Sequence, residues 1–290
     1  SSRPRHQSVR ACPAAMLPII HRTFPADVFD AKWAPGSSTF VCVGQSLDVY
    51  TLAPELALSK RAGTDQPVAI RCVAVHAARP SEFATGDVSG RLRAWDIANT
   101  LLPVFSVQAS PAPVNCASLC GCEVAVGSNA GAASVWDTRQ SNAAVAVLAH
   151  AAQPDCWAVS LRSDTHSCLA GYSNGNVVQY DLRAPGRALW CCNVEHGVCA
   201  LSGRDPAIVA GLNGLLAAVP DGGAPAAPAF QTDTCTVWSV QHSPALPPVL
   251  AAANGDGNVA LYKSEVAAGP PRQPIHVLQL SKKPVLSLDW

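Results

Sequence analysis

The sequence predicts an all-β fold, a β-propeller of repeated four-stranded units, and three observations predict it. A phrase of small residue, glycine, polar turn, alternating apolar strand, aromatic and aspartate keeps returning. It reads Ala84-Thr85-Gly86-Asp87-Val88-Ser89-Gly90-Arg91-Leu92-Arg93-Ala94-Trp95-Asp96 in one place. It returns from Val126-Gly127 to Trp136-Asp137 and from Ala170-Gly171 to Tyr180-Asp181, and a worn copy ends at Leu261-Tyr262. The anchors Tyr50, Trp95, Trp136, Tyr180, Val219 and Tyr262 stand 39 to 45 residues apart. A second register, of short apolar runs ahead of each phrase, keeps the same pace.

That register starts at residues 28–33 (Val-Phe-Asp-Ala-Lys-Trp) and 70–75 (Ile-Arg-Cys-Val-Ala-Val). It continues at 114–117, 156–161, 198–201 and 237–242, and a seventh run, 285–290, ends the chain. A fixed period of about 40–45 residues with this content is the signature of WD-repeat blades. The runs are read as inner strands covered on both faces, hence nearly continuous in apolar residues. The next two strands of a blade join through turns that need positive φ, at Ser89-Gly90, Asn174-Gly175 and Asp256-Gly257. Prolines such as Pro103, Pro111, Pro113 and Pro220 fall between blades, where no ladder donor is lost.

Six blades plus the first strand of a seventh are therefore expected. On the repeat period, the expectation is a fragment lacking about 30 residues of one more blade. The alternative is a six-bladed ring carrying an extra strand. Residues 1–15 hold Arg3, Arg5 and Arg10 ahead of Met16, and are expected to be a disordered or artefactual leader. Residues 16–290 are expected to form one incomplete propeller.

The chain has 290 residues, 20 basic and 20 acidic, and only 14% charged residues. Zero net charge without a basic block argues against nucleic acid or an acidic membrane as main partner. Sparse charge fits sheets covered on both faces. No apolar run approaches the roughly 20 residues that cross a bilayer. Twelve cysteines in so long and apolar a chain read as small hydrophobes in a reducing, cytoplasmic compartment.

Catalytic and metal chemistry find little support. Gly86-Asp87-Val88-Ser89-Gly90 is a strand–turn–strand segment, not the strand–turn–helix of a hydrolase elbow. Cys120-Gly121-Cys122 and Cys191-Cys192 lack the two-to-four-residue gaps of zinc sites, and are expected to be core or loop thiols. His150 and His242 sit at blade junctions, where a histidine can bond a turn aspartate. The usual aspartate position holds Ser89, Ala130, Asn174 and Asp256, so apolar stacking must carry more of the stability. No metal, no cofactor and no enzyme activity are expected.

Phrases between the repeats are more specific than Trp-Asp pairs. They include Ile19-Ile20-His21, Phe40-Val41-Cys42, Pro154-Asp155-Cys156-Trp157-Ala158-Val159, His196-Gly197-Val198-Cys199-Ala200-Leu201, Thr236-Val237-Trp238-Ser239-Val240 and Pro284-Val285-Leu286-Ser287-Leu288-Asp289-Trp290. In this order and spacing, over about residues 17–290, the chain resembles the Monad family of WD-repeat dynein axonemal assembly factors. The resemblance implies a cytoplasmic seven-bladed propeller acting as a co-chaperone adaptor. It implies as partners a RuvB-like ATPase and prefoldin-like chaperone assembly, with axonemal dynein heavy chains as clients. It implies a monomer within a larger complex. The chain departs from the family in its short Gly44-Gln45-Ser46 hairpin and in a fifth blade with Val219-Pro220 in place of the aromatic.

The candidate partner-binding residues are Arg71, Asp155, Trp157, His196 and Trp238. Trp157 and Trp238 hold one place in their inner strands, shared by Phe29, Arg71 and Leu286. Two placements are open for them: the core between blades, or the channel mouth beside Asp155, where aromatics make binding hot spots. The rival functions are a substrate receptor of a ubiquitin ligase, which needs a docking motif not visible in the tails, and a generic interaction scaffold. An enzyme built in the channel would need convergent Asp, Glu or His on inner strands that carry mostly Val, Cys, Ala and Leu. A decayed or misannotated locus is a further alternative.

Overall fold

Side-chain alternation decides the architecture, because each strand of a repeated sheet must cover two faces. The computed structural model describes residues 24, 27–140, 143–149, 152, 154–162, 164–184, 187–203, 206–223, 230–232, 235–246, 249–263 and 273–290. The expected leader and His150 lie outside them.

The first sheet contains β1 (Val28–Trp33), β2 (Thr39–Gly44), β3 (Ser46–Leu52) and β4 (Leu58–Asp65). The second contains β5 (Ile70–Val75), β6 (Glu82–Asp87), β7 (Arg91–Asp96) and β8 (Phe105–Gln108). The third contains β9 (Val114–Cys120), β10 (Glu123–Ser128), β11 (Ala132–Asp137) and β12 (Ala146–Ala149). The fourth contains β13 (Cys156–Arg162), β14 (Ser167–Tyr172), β15 (Asn176–Asp181) and β16 (Ala188–Asn193). The fifth contains β17 (Val198–Ser202), β18 (Ala207–Gly211), β19 (Leu215–Val219) and β20 (Phe230–Gln231). The sixth contains β21 (Val237–His242), β22 (Val249–Asn254), β23 (Asn258–Lys263) and β24 (His276–Gln279). All six are four-stranded with strands paired in chain order, and the first strand of each packs on that of the next. This is the expected count of blades, but the seventh run, 285–290, expected as the first strand of another blade, forms no strand.

The turns behave as their residues dictate. Gly90, Gly175 and Gly257 have φ of 86°, 85° and 88°, a region that L side chains avoid. At the turn of the second blade, the buried Asp87 carboxylate accepts from the backbone N–H of Ser89 and Arg91 and from Arg93 Nη1 at 2.7 Å. It supplies what the missing aspartate at position 89 would have supplied.

Five apolar clusters bridge successive blades, and alternation feeds them from both sides. In β6, Phe83 faces the first blade and packs with Val41, Leu47 and Trp95. Its neighbour Ala84 faces the third blade and packs with Val124 and Trp136. Trp95, Trp136, Tyr180, Val219 and Tyr262 all turn toward the preceding blade. One large anchor per interface is therefore what the 39-to-45-residue spacing counts. Val219 shows that an aliphatic side chain fills the place when the neighbouring residues close around it.

The expectation of inner strands covered on both faces needs correcting. The strands buried most evenly along their length are the second of each blade, such as β14 and β18, while third strands such as β7 and β23 are buried mainly in their middle. The inner β1 and β9 are half-buried through most of their length, because one edge faces the channel.

Between the sixth and first blades lies the segment 285–290. Val285 N–H donates to Asn254 O at 3.1 Å, and Trp290 Nε1 donates to Gln241 O at 3.4 Å. Toward β1, Ser287 Oγ donates to Asp30 Oδ1, Lys32 Nζ donates to Leu288 O at 3.0 Å, and Trp33 N–H donates to Asp289 Oδ2 at 2.7 Å. Asp30 Oδ2 in turn accepts from Val73 N–H at 2.9 Å. One carboxylate thus joins the terminal segment, β1 and β5.

The cysteines among the described residues are free. Burial pushes the thiols of Cys42, Cys168 and Cys199 up to about 12, so they act as small apolar side chains.

Two predictions test this packing. An added methyl at Gly127 would lie 2.6 Å from Cys156 Sγ and 2.7 Å from Cys116 Sγ. Gly127→Ala is expected to destabilise by about 1–3 kcal/mol in urea unfolding, with part of the loss recovered in Gly127→Ala/Cys156→Ala. Asp30→Ala leaves the Val73 N–H without its acceptor, at about 1–3 kcal/mol. Hydrogen exchange at Val73 and across 285–290 should accelerate together; unchanged exchange at 285–290 would refute the shared clamp.

Candidate functional site

A single backbone irregularity builds the site, and every blade repeats it. The pairing of first and second strands shifts by one residue at the same place in each sheet. The residues left without a cross-strand partner are Phe29, Arg71, Asn115, Trp157, Cys199 and Trp238. A β-bulge of this kind bends the strand and re-aims the extra side chain. An inner strand can accept it because its other edge has no ladder to disturb. All six residues line one cavity of about 520 Å³ at the channel mouth, and Leu286 of the terminal segment joins them.

The mouth is two-sided in chemistry. Trp157, Cys199, Trp238, Leu286 and Phe29 form an apolar arc running from the fourth blade round to the first. Trp238 is 39% exposed and Leu286 is 40% exposed. Trp157 is half-buried and leans on Gly197, where an added Cβ would come within 3.2 Å of its ring. Arg71 and Asn115, from the second and third blades, form the polar sector.

Arg71 is exposed and has no hydrogen bond or ion pair among the described residues. Burial drives the thiols of Cys72 and Cys116 well up, and the nearby guanidinium opposes that rise in both. Asn115 Nδ2 donates to Asn129 Oδ1 and to Cys156 O at 3.0 Å, while its buried Oδ1 finds no partner among the described residues. Asp155 accepts the Ser173 N–H through its backbone carbonyl at 2.9 Å, which leaves its carboxylate facing the mouth without a partner among the described residues. Lys32, by contrast, is committed to Leu288 O and lies 3.6 Å from Asp30 Oδ1.

The structure therefore brings four of the five candidate residues, Arg71, Asp155, Trp157 and Trp238, into one cavity. His196 lies in the turn before β17, with its backbone against Gly175, and does not line it. Of the two placements open for Trp157 and Trp238, the structure selects the mouth. Asn115 and Cys199 were missed, although each is the second residue of its inner strand, a register position visible in the sequence.

Deeper in the channel a space of about 480 Å³ is lined by Lys32, Trp157, Ser202, Gln241 and His242 among others. His242 Nδ1 and Ser202 Oγ are 2.6 Å apart, so this histidine links the inner strands of the fifth and sixth blades. Among the described residues no group of three or more His, Cys, Asp or Glu is placed to hold a metal ion, and no helix is long and apolar enough to cross a membrane.

Comparison with known proteins agrees with this architecture. Among solved structures, the WD40 β-propeller domain of Doa1 superposes with a TM-score of 0.75 at 14% identity, covering 92% of this chain and 87% of that one. A chain of the mitotic checkpoint complex gives 0.76 at 17% identity, covering 95% and 92%. At such identities the likeness concerns the fold alone. No protein-family model matches the chain. Dynein axonemal assembly factor 10 of Xenopus laevis is 30% identical over 91% of this chain and 86% of its own length. That of Homo sapiens is 27% identical over 93% and 89%. That of Chlamydomonas reinhardtii is 30% identical over 95% of this chain and 90% of its own length, and the chain belongs to the family of dynein axonemal assembly factor 10.

Proposed function

We propose that this chain is a non-catalytic adaptor in the cytoplasmic preassembly of axonemal dynein, and that the channel mouth is where it holds a protein segment. The observation that carries the reading is the ring of bulged side chains. Six blades spend the same irregularity to aim six side chains at one cavity, which packing alone does not require. Two of them are tryptophans left partly open to solvent, the residue type most enriched at binding hot spots. The name shared by the relatives supplies the process, dynein axonemal assembly. The link to a RuvB-like ATPase and prefoldin-like assembly, and dynein heavy chains as clients, are part of the proposal and follow from the family resemblance.

The chemistry of the mouth also favours binding over catalysis. Its carboxylates and its two amides are spread over several blades, and the Ser287 hydroxyl that donates to Asp30 Oδ1 is held in the clamp joining segment 285–290 to β1 and β5. Cys199 is the one thiol among the six bulged residues, and burial holds it protonated at about 12.

The test is capture from extracts of ciliated cells with the full chain and with Trp157→Ala/Trp238→Ala. Each truncation is expected to cost about 2 kcal/mol of binding, roughly thirtyfold in affinity, with unfolding little changed because both rings are partly exposed. Recovery of dynein heavy chains and of the RuvB-like ATPase is expected with the unaltered chain. Undiminished capture by the double variant would remove the mouth from the reading, and capture of neither partner by the unaltered chain would overturn the adaptor role.

A further inference from the structure

The cavity at the mouth has a charge pattern as well as a shape. Arg71 on the second blade and Asp155 on the fourth flank Asn115 on the third, and both charges are unpaired among the described residues. The other two charges lining the cavity are engaged: Lys32 with Asp30 and with Leu288 O. Opposite the polar sector stand Trp157, Trp238, Leu286 and Phe29. A single free cation cannot hold a nucleic acid backbone, which needs several. A volume of about 520 Å³ admits a few side chains, and its walls set an apolar arc against a few polar groups in the manner of a ligand site.

Resting on the docking role proposed above, we infer that the occupant is an extended peptide segment with one apolar side chain flanked by an acidic and a basic residue. The apolar side chain, aromatic or branched, lies between Trp157 and Trp238. The acidic residue meets Arg71, whose planar donor fork suits a carboxylate. The basic residue meets the Asp155 carboxylate. The two unpaired charges then fix the direction in which the segment lies, and specificity arises as much from wrong-charge repulsion as from attraction.

The experiment titrates the intrinsic tryptophan fluorescence of the full chain with synthetic peptides that contain no tryptophan. The probe is acetyl-Gly-Glu-Ser-Phe-Ser-Lys-Gly-amide, compared with a version carrying lysine for glutamate and one carrying alanine for phenylalanine. The unaltered chain is expected to bind the probe at least about tenfold more tightly than either version, the size of one good charge contact. Arg71→Glu should reverse the preference toward the lysine version. Asp155→Lys should lose affinity for the probe and recover it for a version carrying glutamate in place of the lysine. Arg71 makes no hydrogen bond or ion pair among the described residues that its replacement would break, so circular dichroism of that variant should match the parent.

Equal binding of all versions, no reversal by Arg71→Glu, or no binding of any peptide would overturn the inference. If that happens while Trp157→Ala/Trp238→Ala still abolishes client capture, the mouth is a docking site of different chemistry. If the peptides follow the charge rule while client capture survives the tryptophan truncations, the inference stands and the proposed adaptor role fails at this site.

Discussion

Face-to-face contact between blades is the constraint on which the rest of this molecule depends. A four-stranded sheet cannot bury both faces by itself, so each blade is stable only against its two neighbours. The second strand is where the next blade comes closest. Gly127 and Gly171 stand there, and a Cβ on Gly127 would meet the sulfurs of Cys116 and Cys156. The glycine in the repeated phrase is therefore a spacing device, and the aromatic nine residues further on fills the opposite interface. The two together explain why the phrase cannot drift: losing either opens or overfills a contact on one side of the blade.

The same constraint frees the innermost strand to carry function. Its apolar contacts are made at alternate residues, while its outer edge faces the channel rather than another strand. A one-residue bulge there disturbs no second ladder, and the side chain it expels has only the mouth to enter. Stability is thus concentrated in second and third strands, where variation is costly, and the proposed recognition on first strands, where Phe, Arg, Asn, Trp, Cys and Trp are all accommodated at one position. The joint between the sixth and first blades follows another rule. There polar contacts dominate: Asp30, Ser287 and Asp289 tie the terminal segment to β1 through side chains, and burial raises the Asp289 carboxyl while Lys32 opposes the rise.

Blade number and order were legible in the sequence because they depend on local chemistry repeated at a fixed interval. Gly90 and Gly175 announce turns by the backbone they must adopt, and Trp95 and Trp136 announce interfaces by their bulk. The site was legible only in part. Trp157 and Trp238 are ambiguous as text, since a tryptophan in an apolar strand suits a core as well as a rim. What separates the two is a register shift in hydrogen bonding, which leaves no mark in residue type. Asn115 and Cys199 share that shift but look unremarkable, so position rather than chemistry was the available signal. His196 illustrates the converse: a polar residue in a specific phrase whose place is set by the turn around Gly175, not by the mouth.

The bulge also bears on how such a scaffold can change partners without losing its fold. Substituting Arg71 or Trp238, expelled into the channel, removes no residue of the interblade clusters, so on the proposed reading the cost falls mainly on binding. A propeller built this way can hold its packing fixed while its mouth varies blade by blade. In this chain the fixed part includes Gly127 and Trp136, and the variable part includes Arg71 and Trp238. Two residues adjacent in sequence, Arg71 and Cys72, belong to different parts: one faces solvent at the mouth, the other lies in the contact between the second and third blades. The boundary between stability and the proposed recognition runs between neighbouring residues of a single strand.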